Sequence, residues 1–325
     1  MERPRNDACG WKPYLSITNR QTEATPGPLG QAACCEHPMD QNQTAAYAHC
    51  EALVRTSDKD RYLAALFAPA EARPHLHALY AFASEIARVP AVVREPLPGE
   101  IRLQWWRDVL AGEARGEVSA NPVAAALLDT VAHCDLPKER IITLIDTQTF
   151  DLYDDAMESL ADLDAYAERT SGALFALAAQ ILGSKGDKAV LDAAAPSGIA
   201  WGVAHRLRSF PRDLARGQLF VPLDLLARHG VTRNEVEARR NTPGLRAALA
   251  ALRGHARAAF AKFAAVAPDI PESCAPAFLP AALMPQLLAK LDAEEADPFA
   301  EVEVPQWRRQ WTLWRAARRW PRVKG

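Results

Sequence analysis

Three sets of side chains in this 325-residue sequence have the types and spacing to do chemistry. Asp151, Asp154, Asp155 and Glu158 stand at i, i+3, i+4 and i+7. On a helix that spacing puts four carboxylates on one face, an oxygen-rich surface suited to Mg²⁺, and a solvated helix end has the same signature. Arg206, Arg208, Arg212 and Arg216 form a cationic run. Guanidinium forks grip phosphate oxygens two at a time, and they pair as readily with an Asp or Glu one turn away. Trp307, Trp311 and Trp314 stand at i, i+4 and i+7 among Arg308, Arg309, Arg315, Arg318, Arg319, Arg322 and Lys324, with no acid after Glu303. A basic amphipathic helix carrying indoles is the pattern of an interfacial membrane anchor. A closing helix whose indoles plug the interior fits equally, and both hold if the indoles face in while the arginines face anionic lipid. The histidines offer less, since His75 and His77 are two residues apart and diverge on a helix, and no His–Cys set has zinc spacing.

The composition says which elements must position these groups. Hydrophobic residues are 49% and charged residues 24%, enough for a large core, and the net charge of -2 gives no reason to expect a nucleic-acid partner. Ala, Leu, Arg, Glu and Asp crowd the chain while alternating β-branched runs are scarce, so the fold class is all-α. The six cysteines form no CxxC pair and read as reduced thiols of a cytoplasmic protein. Nowhere do eighteen apolar residues run uninterrupted, so the chain is expected to be soluble or peripheral rather than spanning. Residues 1–40 mix Pro, Gly, Gln and Asn without helical period and are expected to be a disordered leader to a single domain at 41–325.

Punctuation brackets the helices. Ser57 and Asp58 cap a helix through Leu66, Pro69 opens the next with Leu76, Leu79, Tyr80, Ala83 and Ile86 on its buried face, and Pro90 interrupts it. Ile101–Ala111, Pro122–Val131, Pro137–Ser159, an Asp162-capped helix ending before Gly183, Ile199–Leu214, Asn234–Arg240, Pro243–Val266, Ala282–Leu291 and Val304–Trp320 follow.

From Arg61, the run RYLAALFAPAEARPHLHALYAF resembles the opening of squalene and phytoene synthases. The segments IRLQWWRDVLAG, LPKERIITLIDTQTFDL, LDAYAERTSGALFALAAQILG and GIAWGVAHRLRSFPRDLARGQLFVPLDLLARHG then follow in that family's order, covering roughly residues 50 to 291. The resemblance implies an isoprenoid-synthase fold, a helical bundle around a central apolar pocket with two acidic motifs facing across its mouth. In that family the motifs hold Mg²⁺ against the substrate diphosphate and so make it a leaving group.

This sequence departs from the pattern where the chemistry is decided. The register of the first motif, after Tyr80-Ala81-Phe82, falls on Ala87, Arg88, Val89, Pro90 and Ala91, without a carboxylate. Glu85 lies two residues short of it, rotated about 200° around the helix. In the second motif the first aspartate falls on Ser209 and the second on Asp213, while Gln218 and Phe220 stand where the family has Arg and Tyr. By the resemblance, Arg208, Arg212 and Tyr80 are candidates to bind substrate, Asp213 and Tyr166 to take part in catalysis if any persists, and Asp151, Asp154 and Asp155 to hold metal. Tyr166 equally fits a buried, hydrogen-bonded core tyrosine. The degraded motifs, with the LRS-P run from Leu207, the FVPLDLLARHGV ending and the closing WRRQWTLWR segment, resemble most the non-catalytic branch that assembles respiratory complex I. That implies complex I subunits as partners, a prenyl diphosphate or lipid in the pocket, an anionic membrane surface under the last helix, and a cytoplasmic location peripheral to the inner face of the membrane. It implies no cofactor, Mg²⁺ being required only of an active prenyl transferase that joins two prenyl diphosphates head to head.

Overall fold

The apolar residues of Arg73–Val92 recur at helical spacing, and the element they build is central to the bundle. Leu76, Leu79, Phe82 and Ile86 are at most 2% exposed. The computed structural model describes residues 41–93, 95–153, 155–293 and 297–320, so the expected leader at 1–40 lies outside the described residues. Within them every regular element is helical and no strand occurs. The helices are α1 (Gln41–Ser57), α2 (Lys59–Ala65), α3 (Arg73–Val92), α4 (Pro96–Ala111), α5 (Pro122–His133), α6 (Lys138–Gln148), α7 (Leu160–Ala167), α8 (Ala173–Ile181) and α9 (Lys188–Leu214). Then come α10 (Leu223–Arg228), α11 (Arg233–Glu237), α12 (Pro243–Val266), α13 (Ala275–Phe278), α14 (Met284–Ala293) and α15 (Gln306–Arg319).

Two layers meet at the core: α1, α3 and α5 pack together on one side, and α9 lies along α12, α7 and α8 on the other. Phe175 of α8 stacks on Phe278 of α13, with ring centroids 5.5 Å apart, and each buried phenylalanine contributes about 1.5–3 kcal/mol of transfer free energy. The stretch Glu272–Ala293 is long and apolar enough to cross a membrane, but it breaks into short helical turns and α14 and is 72% buried in the bundle. Its apolarity is that of core.

Several helix ends follow their punctuation. Asp58 caps α2 by accepting from the Arg61 amide at 3.1 Å, and Gly183, at φ +96°, follows the end of α8. Four expectations are corrected. Pro69 does not open a helix: it lies in the turn before α3, which starts at Arg73. Pro137–Ser159 is not one helix: α6 stops at Gln148, a 3₁₀ turn covers Thr149–Leu152, and the helix resumes only at Leu160. The chain between is drawn out by distant backbone, since the Met157 amide donates to the Leu219 carbonyl and the Leu223 amide donates to that of Met157. Ser159, not Asp162, is the N-cap of α7, Asp162 completing the capping box. Proline is also tolerated inside helices: α3 runs past Pro90 to Val92, and α9 contains Pro196 and Pro211. Each would cost about 3 kcal/mol in an isolated helix. The packing of α9 between α12 and the α7–α8 layer outweighs that.

Candidate functional site

The spacing on α9 creates the site. Arg206, Ser209 and Asp213 fall at i, i+3 and i+7 on one face, and Trp201, His205, Arg208 and Arg212 recur on the adjoining one. Between α7 and α8 the chain makes a π-helical turn, Glu168–Gly172, and Gly198 of α9 packs so closely on Gly172 that a Cβ there would collide with its backbone. That close approach brings Tyr166 of α7 against Arg206 of α9.

The resulting cluster is largely buried and bonded within itself, with Asp151 Oδ1 left without a hydrogen-bond partner. Arg206 Nη2 donates to Asp151 Oδ2 at 2.9 Å and also to the Tyr166 hydroxyl, which itself donates to Asp151 Oδ2 at 2.9 Å. Arg206 Nη1 lies 3.6 Å from Asp213 Oδ2, which accepts from Ser209 Oγ at 2.5 Å. The guanidinium also covers the Phe220 ring, 3.5 Å from its centroid, and the Gln218 amide donates to the Asp151 carbonyl. Burial raises the pKa of Asp151, against the pull of Arg206 and Tyr166. Burial raises that of Tyr166 well above the usual phenol range, so the phenol keeps its proton. Burial disfavours the Arg206 charge, yet Tyr166, Asp151 and Asp213 together hold it more firmly protonated than a free guanidinium.

Beside this cluster opens a cavity of about 580 Å³. Its apolar wall comes from Tyr80 and Ile86 of α3, Leu144 of α6, Leu174 of α8 and Trp201 of α9. The rest is cationic: Lys59, Arg61, Arg88, Arg206, Arg208, Arg212, Arg216 and Arg309 line it, against two carboxylates, Asp58 and Asp60. Both carboxylates are taken, Asp58 by Arg61 at 2.7 Å and Asp60 by Arg309. Arg208, Arg212, Arg216 and Arg88 form no ion pair with a described residue, and the buried Arg208 Nε has no hydrogen-bond partner. The expected central pocket is therefore apolar on its α3 and α8 side and strongly positive along α9. His205 stacks on Trp201, 3.9 Å between centroids, and burial with Arg208 and Arg61 nearby pushes its pKa well below the usual range, leaving a neutral imidazole.

The expected site residues divide accordingly. Tyr80, Tyr166, Arg208 and Arg212 all line the cavity, and Asp213 lies buried behind it, tied to Ser209. Arg208 and Arg212 do not pair with neighbouring acids; Arg206 is the arginine of the run that does pair, with Asp213 two turns on and with Asp151 from a distant segment. The expected helical face across these carboxylates is not continued through the described residues, since 153 and 155–159 are not helical. Asp151 is held by Arg206, Asp155 and Glu158 are exposed outside the cavity, and Asp154 lies outside the described residues. Sequence reasoning missed the centrality of Arg206, for which the signal was its i, i+3, i+7 relation to Ser209 and Asp213. It also missed the Asp60–Arg309 pair, 249 residues apart, for which there was none.

A Mg²⁺–diphosphate centre does not fit these side chains. On α3 the register of the first acidic motif places Ala87, Arg88 and Ala91 on the cavity wall, and Glu85 faces a separate hollow with Trp105. On α9 the acid that remains is shared with Arg206 and Ser209. Among the described residues no three His, Cys, Asp or Glu side chains converge on a common point.

A family model described as squalene/phytoene synthase matches residues 54–315. The chain belongs to the squalene/phytoene synthase family. Among relatives, NADH dehydrogenase (ubiquinone) complex I, assembly factor 6 of Rattus norvegicus is 29% identical over 287 residues, 88% of this chain and 82% of its own. The phytoene synthase of Thermus thermophilus is 32% identical over 211 residues, 64% of this chain and 70% of its own. Among solved structures, squalene synthase HpnC from Alicyclobacillus acidocaldarius superposes with a TM-score of 0.68 at 25% identity, covering 80% of this chain and 98% of that one. The squalene/phytoene synthase fold here surrounds a cavity lined by far more cations than carboxylates.

Proposed function

We propose that this chain is a non-catalytic squalene/phytoene synthase family protein that acts in the assembly of respiratory complex I. The observation that carries the reading is the position of Arg206, whose guanidinium bonds Asp151 and reaches Asp213, occupying carboxylate oxygens that a divalent cation would need. Similarity to the complex I assembly factor over most of both chains supports the role and, with it, complex I subunits as partners. The unpaired Arg208 and Arg212 suit a phosphate-bearing ligand, a prenyl diphosphate or a lipid head group, held directly and without metal. Such binding is expected to survive EDTA and to weaken as salt rises.

The second reading, an active prenyl transferase joining two prenyl diphosphates head to head, is favoured by the similarity to a phytoene synthase and by Tyr166 and Asp213 beside the cavity. One assay separates the two. Purified protein is incubated with farnesyl or geranylgeranyl diphosphate, Mg²⁺ and NADPH, and both diphosphate release and hydrocarbon product are followed. No release above the protein-free blank, from protein confirmed folded by circular dichroism, is the expected result. Sustained release would restore the synthase.

A further inference from the structure

The outer face of α15 is a surface that the cavity leaves unused. Of its fourteen residues only Leu313 is buried, and Arg309, Thr312 and Leu313 tie it to the body through Asp60, Gln286 and the core. At 3.6 residues per turn the indoles of Trp307, Trp311 and Trp314 lie roughly opposite that attachment. They are 64%, 56% and 37% exposed, so these tryptophans do not plug the bundle. Trp311 and Trp314 stack on one another with centroids 4.9 Å apart, which makes a continuous aromatic ridge in place of scattered rings.

The charges around the ridge say what covers it. Arg308, Arg315 and Arg319 run in a second exposed stripe along one side, and Arg318 sits among the indoles. Arg308 lies over the Trp307 ring at 5.2 Å and Arg318 over Trp314 at 4.3 Å, so positive charge is held level with the indole rims. No acidic residue follows Glu303 in the sequence. We propose that α15 lies flat on an anionic phospholipid surface, its three indoles entering the head-group layer and its arginines meeting lipid phosphates. A protein partner would have to offer an acidic groove shaped to a convex helix, whereas an anionic bilayer supplies charge and an apolar boundary to any such ridge. The inference does not rest on the assembly role or on the cavity, and it stands or falls separately from both.

The test uses the full chain and vesicles of phosphatidylcholine alone or mixed with phosphatidylglycerol, read by co-sedimentation and by the indole emission maximum. Expected are preferential binding to the mixed vesicles, a blue-shifted emission, and release at high salt. Two variants divide the contributions: W307A/W311A/W314A removes the ridge, and R308E/R315E/R319E reverses the stripe while leaving the ridge. Each is expected to lose at least about tenfold in vesicle partitioning, since one cation near an anionic surface is worth roughly fivefold. These side chains are exposed, so circular dichroism and thermal melting should remain as in the parent protein. Parent-like binding by the folded tryptophan variant overturns the proposal. Binding kept by both variants but abolished by R208A/R212A also overturns it, since a head group is then held in the cavity. Self-association of the lipid-free chain that only the tryptophan variant abolishes overturns it in favour of a second copy.

Discussion

The two sides of the cavity mouth depart in different ways from the acidic pattern that the resemblance implies. On α3 the change is subtractive: Ala87, Arg88 and Ala91 stand in the open where carboxylates belong, and nothing was rebuilt around them. On the α9 side one acid of the implied motif, Asp213, remains and is neutralised: Arg206 lies between it and Asp151 of the turn after α6, Tyr166 and Ser209 each donate to one of the two carboxylates, and Phe220 lies beneath the guanidinium. A side that merely lost function tolerates substitution. A side whose carboxylates form a buried ion cluster depends on that cluster to stay folded, because removing one partner strands a charge.

The sharpest way to break this comparison is therefore to delete one arginine from each side. Arg206→Met should destabilise the fold by about 3–5 kcal/mol, since Asp151, already carrying an unpaired Oδ1, loses its counter-ion. Arg88→Ala, an exposed and unpaired cation, should stay within about 0.5 kcal/mol of the parent. Urea unfolding of both measures the contrast. Equal effects would mean that the Arg206 cluster is no structural unit.

A smaller effect is read by pH. The folded-state pKa of His205 on α9 is depressed by burial and by Arg208 and Arg61, so as pH falls through the ordinary histidine range the unfolded chain takes up a proton that the folded chain refuses. Stability on that account is full above this range and is lost on acidification, with a slope of up to about 1.4 kcal/mol per pH unit for one proton. His75 and His77, also depressed by burial, add to the same trend. His205→Asn should flatten the decline without abolishing it, as melting temperatures between neutral and mildly acidic pH will report. An unchanged slope would mean that His205 is protonated in the folded protein.

The contrast also marks what a single sequence reveals. The losses on α3 are legible by counting from Tyr80, because helix register is local. So are the cap at Asp58, the stop at Gly183 and the all-helical class. The rearrangement on α9 is not, because it depends on Asp151 arriving from 55 residues away. Its helical neighbourhood was itself misread: the run from Pro137 to Ser159 has helical composition, and only the backbone bonds of Met157 with Leu219 and Leu223 pull it straight. A carboxylate row inferred from that helix has the spacing of a metal site, whereas its buried member Asp151 is the partner of an arginine. The tryptophans of α15 were ambiguous for a related reason. Spacing shows that they share a face, and only the anchoring of Arg309 on Asp60 decides which way that face turns.

The smallest expected effect is the one that bears most directly on the comparison. Ala87→Asp/Ala91→Asp restores two carboxylates at i and i+4 on the exposed rim of α3, where they meet no steric obstacle and should leave stability within about 0.5 kcal/mol. The diphosphate assay should nonetheless stay at the blank. A bridging cation needs oxygen ligands from both sides of the mouth, and on α9 Ser209 still stands at the first acid position, tied to Asp213, with Arg206 3.6 Å from the same carboxylate. The new aspartates would meet Arg88 on their own helix and Arg212 across the cavity and would pair with them before they met a metal. Measurable turnover from this variant would show that the α9 side had kept its competence and that the first motif alone separated this protein from a working synthase.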